Sequence, residues 1–221
     1  MVHSEGVCAQ PPSTMAVAPL SAIAEAFEDL AKFSGSENNG NTDQQELRLD
    51  KFCHACSHVS VLFNSLGLVF KFAELEYISK LHALKDASKT YETLRDIIDL
   101  DVANGTVKTQ GSLSRCLRRV RQGLDLVKAI FKQFLLTDDS SLKEAASTAY
   151  AQVCAPYHSW TIRAAVAAGM YALPTRDQLL VRLNETNQSA EKKMMRYINA
   201  SVPVIEYIDK LYLSGNITLD W

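Results

Sequence analysis

Between Leu113 and Phe134 the apolar residues fall on one stripe: Leu113, Leu117, Val120, Leu124, Val127, Phe131 and Phe134. At about 100° per residue these positions share one face of a helix. A stripe that long must bury itself against other helices. The same period runs through the rest of the chain. Leu20, Ile23, Phe27 and Leu30 repeat it behind Pro19, and 47–84 is apolar at helical spacing with Gly67 as the candidate break. The stretch 86–105 reads as a helix ended by Asn104-Gly105. Ser141-x-x-Glu144 is a capping box for the next helix, and Pro156 closes it. Residues 157–173 read as helical up to Pro174, and Thr175 opens a short helix over 175–184. A last helix is expected from about Ser189 to Leu213, kinked at Pro203. No segment alternates apolar and polar residues between turn signals, and the nearest candidate, 59–63, lies inside a helical stripe. The expectation is an all-α protein of about eight helices in one domain.

The ends and interruptions are equally readable. Residues 1–16 are polar, Pro-containing and aperiodic, so they are expected to be a disordered tail, with one domain over 17–221 and a flexible loop at 34–46. The start has neither a basic nor an apolar secretory region. The longest apolar run, 164–173, is too short to span a bilayer. Five scattered cysteines do not form a disulfide framework. Together these features point to the cytosol. Cys53, Cys56, His54 and His58 have ligand-like spacings, but no second ligand pair follows at zinc-finger distance. Helix packing explains them better, so no metal is expected. No phosphate loop, nucleophile elbow or dinucleotide fingerprint occurs, so neither an enzyme nor a cofactor is expected.

Four arginines occupy seven positions at 115–121 of a chain whose formal net charge is −2. A generic nucleic-acid binder is usually basic overall, so this run is a local device. Arg115 and Arg119 project together onto a second helical face, which continues through Gly123, Leu126 and Ile130. Cation at one end and hydrocarbon behind it suit an amphiphile with an anionic head. Arg118 and Arg121 point elsewhere and read as a solvated edge. Taken alone, each element has a plainer explanation. The arginines would pair with surface acids, and Glu76 and Lys80 would be an ordinary i,i+4 ion pair. His158 would be a satisfied structural histidine. Trp160 would be core or an interfacial anchor.

The segments LGLVFKFAELEYISKL, SRCLRRVRQGLDLVK, YAQVCAPYHSW and AAGMYALPTRDQLL, in this order, resemble the glycolipid transfer protein superfamily. They are most similar to its plant accelerated-cell-death branch, whose members transfer ceramide-1-phosphate. The resemblance runs from about Leu20 to Trp221. It implies a two-layer sandwich of helices holding lipid chains in a central hydrophobic pocket. It implies that Lys80, Arg115 and Arg119 clamp a phosphate. It implies that Glu76 accepts from the ceramide amide and hydroxyl, that His158 donates to the amide carbonyl, and that Trp160 contacts membranes. The sugar-selective members carry Trp where this chain has Arg119, so a phosphate headgroup is implied. The family's Asp is Glu at 76, which reaches one methylene further.

The function implied is non-enzymatic transfer of ceramide-1-phosphate and related phosphosphingolipids between membranes, linked to regulation of cell death. It requires transient, peripheral membrane contact. A lipid sensor of the same fold, a glycolipid carrier, and a helical nucleic-acid or phosphoprotein binder are the alternatives. The apolar continuation of the arginine face and the near-neutral charge speak against the last.

Overall fold

A computed structural model describes residues 18–34, 46–67, 70–137 and 141–221. The expected tail at 1–16 and nearly all of the expected loop at 34–46 lie outside the described residues. Among those residues the chain is all-α, as the periodicity requires. Its helices are α1 (Pro19–Ser34), α2 (Leu49–Leu66), α3 (Lys71–Ala87), α4 (Leu94–Ala103), α5 (Leu113–Leu136), α6 (Leu142–Val153), α7 (Trp160–Gly169), α8 (Arg176–Leu183) and α9 (Asn187–Ser214). Short 3-10 turns at Ala155–Tyr157 and Met170–Ala172 flank α7.

The count exceeds the expected eight because Gly67 does break the 47–84 stripe. It ends α2 at a φ of 103°, a conformation that costs glycine little. Capping hydroxyls explain where other boundaries moved. Thr93 and Asp96 form a capping box, so α4 starts at Leu94 and not near Asp86, which lies in the last turn of α3. Thr186 with Ser189 starts α9 at Asn187, earlier than its apolar pattern does. Thr175 opens α8 as expected, through a box with Gln178. The 157–173 stretch is not one helix. Ser159 caps α7, leaving His158 in extended backbone between the 3-10 turn and that helix.

The α5 stripe is core: Leu117, Val120, Leu124, Val127, Phe131 and Phe134 are all buried. It meets α9, with Tyr197 donating to the Leu124 carbonyl at 3.1 Å and stacking edge-on against Phe131. The helix α9 also packs along α1, α2 bridges α1 and α3, and α5 carries α3 on one flank and α6 on another.

The contact between α3 and α5 positions everything that follows. A Cβ added at Gly123 would lie 3.0 Å from the Tyr77 ring, so the missing side chain lets α3 approach closely. Tyr77 is buried, and its hydroxyl donates to the Cys56 carbonyl at 3.0 Å. The register is antiparallel. Tyr77 abuts Gly123, Glu76 acts electrostatically on Arg119, and Lys80 and Glu76 both act on Cys116.

Candidate functional site

That register brings the 76–80 face of α3 beside the arginine end of α5. Lys80 Nζ sits 2.9 Å from Glu76 Oε1, with Glu76 exposed and Lys80 partly buried. On α5, Arg119 is half-buried and donates to the Gln122 side-chain oxygen at 2.7 Å. Arg115 donates to the Lys108 carbonyl at 2.7 Å. Both partners are neutral. Burial, then Arg115 and Arg118, push the Arg119 pKa down. Part of that shift is repulsion from the neighbouring arginines, which an arriving anion relieves. Arg forks present two parallel donors to phosphate oxygens, and a lysine adds a point charge.

His158 enters from a third direction, the junction of α6 and α7. Its Nδ1 lies 2.8 Å from the Tyr150 hydroxyl, with the rings 5.6 Å apart. Burial and the Arg119 cation lower its pKa. The imidazole is thus neutral near pH 7 and electrostatically within reach of Arg119. Five of the six residues singled out in the sequence form one connected neighbourhood: Glu76, Lys80, Arg115, Arg119 and His158. Trp160 opens α7 two residues beyond His158, with 75% of its surface exposed.

The apolar side of the neighbourhood follows from the same register. On α3 the face carrying Lys80 and Glu76 continues, one turn earlier, to the exposed Phe72. On α5 the face carrying Arg115 and Arg119 continues through Gly123 to the half-buried Leu126 and Ile130. Because the helices are antiparallel, both faces pass from charge to hydrocarbon in the same direction.

One expectation fails. Arg118 and Arg121 are not a solvated edge. Arg118 is 3% exposed and donates to the Leu219 carbonyl at 2.6 Å. Arg121 pairs with Asp209 and with Asp125, the latter at 2.7 Å. Both pin the C-terminal segments onto α5, and a cavity of about 250 Å³ on that edge is lined by Arg118, Arg121, Gln122, Asp125, Tyr157 and Leu219 among others. The residues that sequence reasoning missed are Gln122, Tyr150 and Lys108. Gln122 stands one turn from Arg119 and was readable. Tyr150 and the Lys108 carbonyl carry no local signal.

No helix among the described residues is long and apolar enough to cross a membrane, and no cluster of three or more His, Cys, Asp or Glu residues among them is arranged to hold a metal.

Comparison with known proteins gives this geometry a context. The family model described as Glycolipid transfer protein matches residues 47–185. The chain is 66% identical over 203 residues to an Arabidopsis thaliana protein named ACD11 homolog protein, covering 92% of this chain and 89% of that one. It is 45% identical over 204 residues to Accelerated cell death 11 of Arabidopsis thaliana, covering 92% and 96%. A crystal structure of a point mutant of the latter, complexed with C12 ceramide-1-phosphate, superposes with a TM-score of 0.88 over 93% of this chain and 100% of that one, at 45% identity. On its sequence, its all-helical architecture and these matches, the chain belongs to the glycolipid transfer protein family, in the accelerated-cell-death branch.

Proposed function

We propose that this chain is a non-enzymatic carrier that moves ceramide-1-phosphate, and related phosphosphingolipids such as phytoceramide-1-phosphate, between membranes. The observation that carries the reading is that, among the described residues, Arg115 and Arg119 donate to neutral acceptors, beside Lys80, at the charged end of an apolar face. A phosphate arriving there displaces no carboxylate from either arginine. Each charge-assisted hydrogen bond is worth about 1.5–3 kcal/mol.

The roles divide by chemistry. Lys80, Arg115 and Arg119 hold the phosphate. Glu76 accepts from the ceramide amide N–H and hydroxyl, while the ion pair it makes with Lys80 keeps that ammonium near the phosphate position. His158 donates to the amide carbonyl. The hydrocarbon chains continue along the side of Phe72, Leu126 and Ile130, where burial returns about 0.8 kcal/mol per CH₂. Exposed Trp160 touches the bilayer interface, with an apolar ring and an N–H that suit that boundary. The work done is to lower the cost of a lipid crossing water, and no bond is broken. The carrier operates in the cytosol with transient contact at membrane surfaces, and the names of its relatives support a consequence for cell death. We take residues 17–221 as the lipid-binding domain.

Native mass spectrometry after incubation with vesicles containing ceramide-1-phosphate, sphingomyelin and glucosylceramide tests this. The expected result is a one-to-one adduct with ceramide-1-phosphate alone. Recovery of bare protein, or of a glucosylceramide adduct, contradicts the proposal. Glu76→Ala should abolish the adduct, and an undiminished adduct removes Glu76 from the site.

A further inference from the structure

His158 has two ring nitrogens, and its use as a donor depends on which carries the proton. Its Nδ1 faces the Tyr150 hydroxyl at 2.8 Å. Nε2 has no hydrogen bond to another described residue. Burial, then Arg119, favour the neutral imidazole. Burial, then Cys154, outweigh Arg163 and keep the Tyr150 phenol protonated. A phenol is a strong donor and a poor acceptor relative to an imidazole nitrogen lone pair. The pair therefore settles with the Tyr150 O–H donating to Nδ1, and the imidazole proton resides on Nε2.

We propose that Tyr150 is a positioning residue that locks His158 in the Nε2–H tautomer and aims that N–H at the acceptor of the bound lipid. The proposal rests on the reading that His158 donates to the ceramide amide carbonyl. Tyr150 touches no lipid in this scheme. It acts by removing the competing tautomer, whose Nε2 lone pair would face the carbonyl oxygen, and by fixing the ring plane. Tyr150 lies on α6 and His158 beyond the 3-10 turn, so the bond also ties the segment leading into α7 to the α6 layer.

The test uses the full chain with ¹⁵N-labelled histidines and the variant Tyr150→Phe, which keeps the ring and loses the hydroxyl. The His158 signals are assigned by their disappearance in His158→Ala. Without lipid, the wild type should show an unprotonated Nδ1 and a protonated Nε2. Tyr150→Phe should shift both nitrogens toward a mixture of tautomers while its thermal melt stays cooperative and falls by no more than the loss of one hydrogen bond. Ceramide-1-phosphate binding should weaken about fivefold in Tyr150→Phe, the size of one neutral hydrogen bond. It should not weaken further when Tyr150→Phe is added to His158→Ala, since the two act through one contact. A wild type protonated at Nδ1, a tautomer pattern unmoved by Tyr150→Phe, or an undiminished effect in the His158→Ala background each overturns the proposal. Undiminished binding by His158→Ala would instead remove the reading of His158 itself, and the lipid-free spectra tell the two failures apart.

Discussion

The two edges of α5 use the same side chain for opposite ends. Arg118 and Arg121 are buried or nearly so and are spent on the protein: a carbonyl of the C-terminal segment, Asp209 and Asp125. Arg115 and Arg119 lie within three residues of Arg118 in sequence, yet among the described residues they donate to a carbonyl and an amide oxygen. Burial sets Arg118 apart, and the partner sets Arg121 apart. Arg118 is 3% exposed and closed off from any ligand, Arg121 is neutralised by two carboxylates, and a partly exposed guanidinium bonded to neutral dipoles keeps its charge available. One edge holds the fold, and the other is the edge we propose for the anion.

Several substitutions break or sharpen that contrast. The largest effect is expected from Arg121→Ala, which leaves Asp209 with the longer Arg118 contact at 3.9 Å and Asp125 with Lys128. Stranding partly buried carboxylates should cost about 3 kcal/mol in urea unfolding, with phosphate selectivity intact in the folded fraction. Arg119→Ala should do the reverse. It should change stability by under about 0.5 kcal/mol. It should weaken ceramide-1-phosphate binding tenfold to a hundredfold, the loss of about 1.5–3 kcal/mol. If both variants lost stability alike, the two edges would not differ in kind.

Gly123→Ala probes the spacing between the helices. Alanine favours a helix over glycine by about 1 kcal/mol, but its Cβ would meet a ring held by the bond from Tyr77 to the Cys56 carbonyl. Overpacking costs about 1–3 kcal/mol, so the net change should be a destabilisation near 1 kcal/mol, together with weaker lipid binding as Glu76 and Lys80 are pushed from the arginines. A stabilised Gly123→Ala with full binding would show that α3 has room to shift.

The smallest effect is the pH response of His158. Its folded pKa lies below the ordinary 6.5, because of burial and then Arg119. The unfolded chain therefore binds more protons as pH falls through 6.5 toward the lowered value. Its stabilising contribution is complete above that window and is lost on acidification through it. His158→Gln should flatten the stability profile as pH falls below 6.5. An unchanged slope would place the titration elsewhere.

The sequence made one edge of α5 far more legible than the other. A helical period assigns the buried stripe and the face of Arg115 and Arg119, because both depend only on neighbours within a few turns. Family resemblance added Glu76, Lys80 and His158. The fate of Arg118 and Arg121 was illegible because Leu219 and Asp209 arrive 101 and 88 residues later in the chain, and the local Asp125 alone does not bury Arg121. Exposure inferred from charge alone therefore failed there. Tyr150 was missed for a similar reason. Eight residues, a helix end and a 3-10 turn separate it from His158, and no local pattern spans that path. Gly67 and Gly123 were both visible as glycines. Only the positive φ of the one and the Tyr77 ring against the other show that the first ends a helix and the second admits one.

The most direct measurement is fluorescent-lipid transfer between vesicles, comparing ceramide-1-phosphate with glucosylceramide for the wild type, Arg119→Ala and Arg121→Ala. The account predicts rapid transfer of ceramide-1-phosphate alone by the wild type, its collapse in Arg119→Ala, and its survival in whatever fraction of Arg121→Ala remains folded. Equal transfer of both lipids by the wild type, or undiminished transfer by Arg119→Ala, would contradict it.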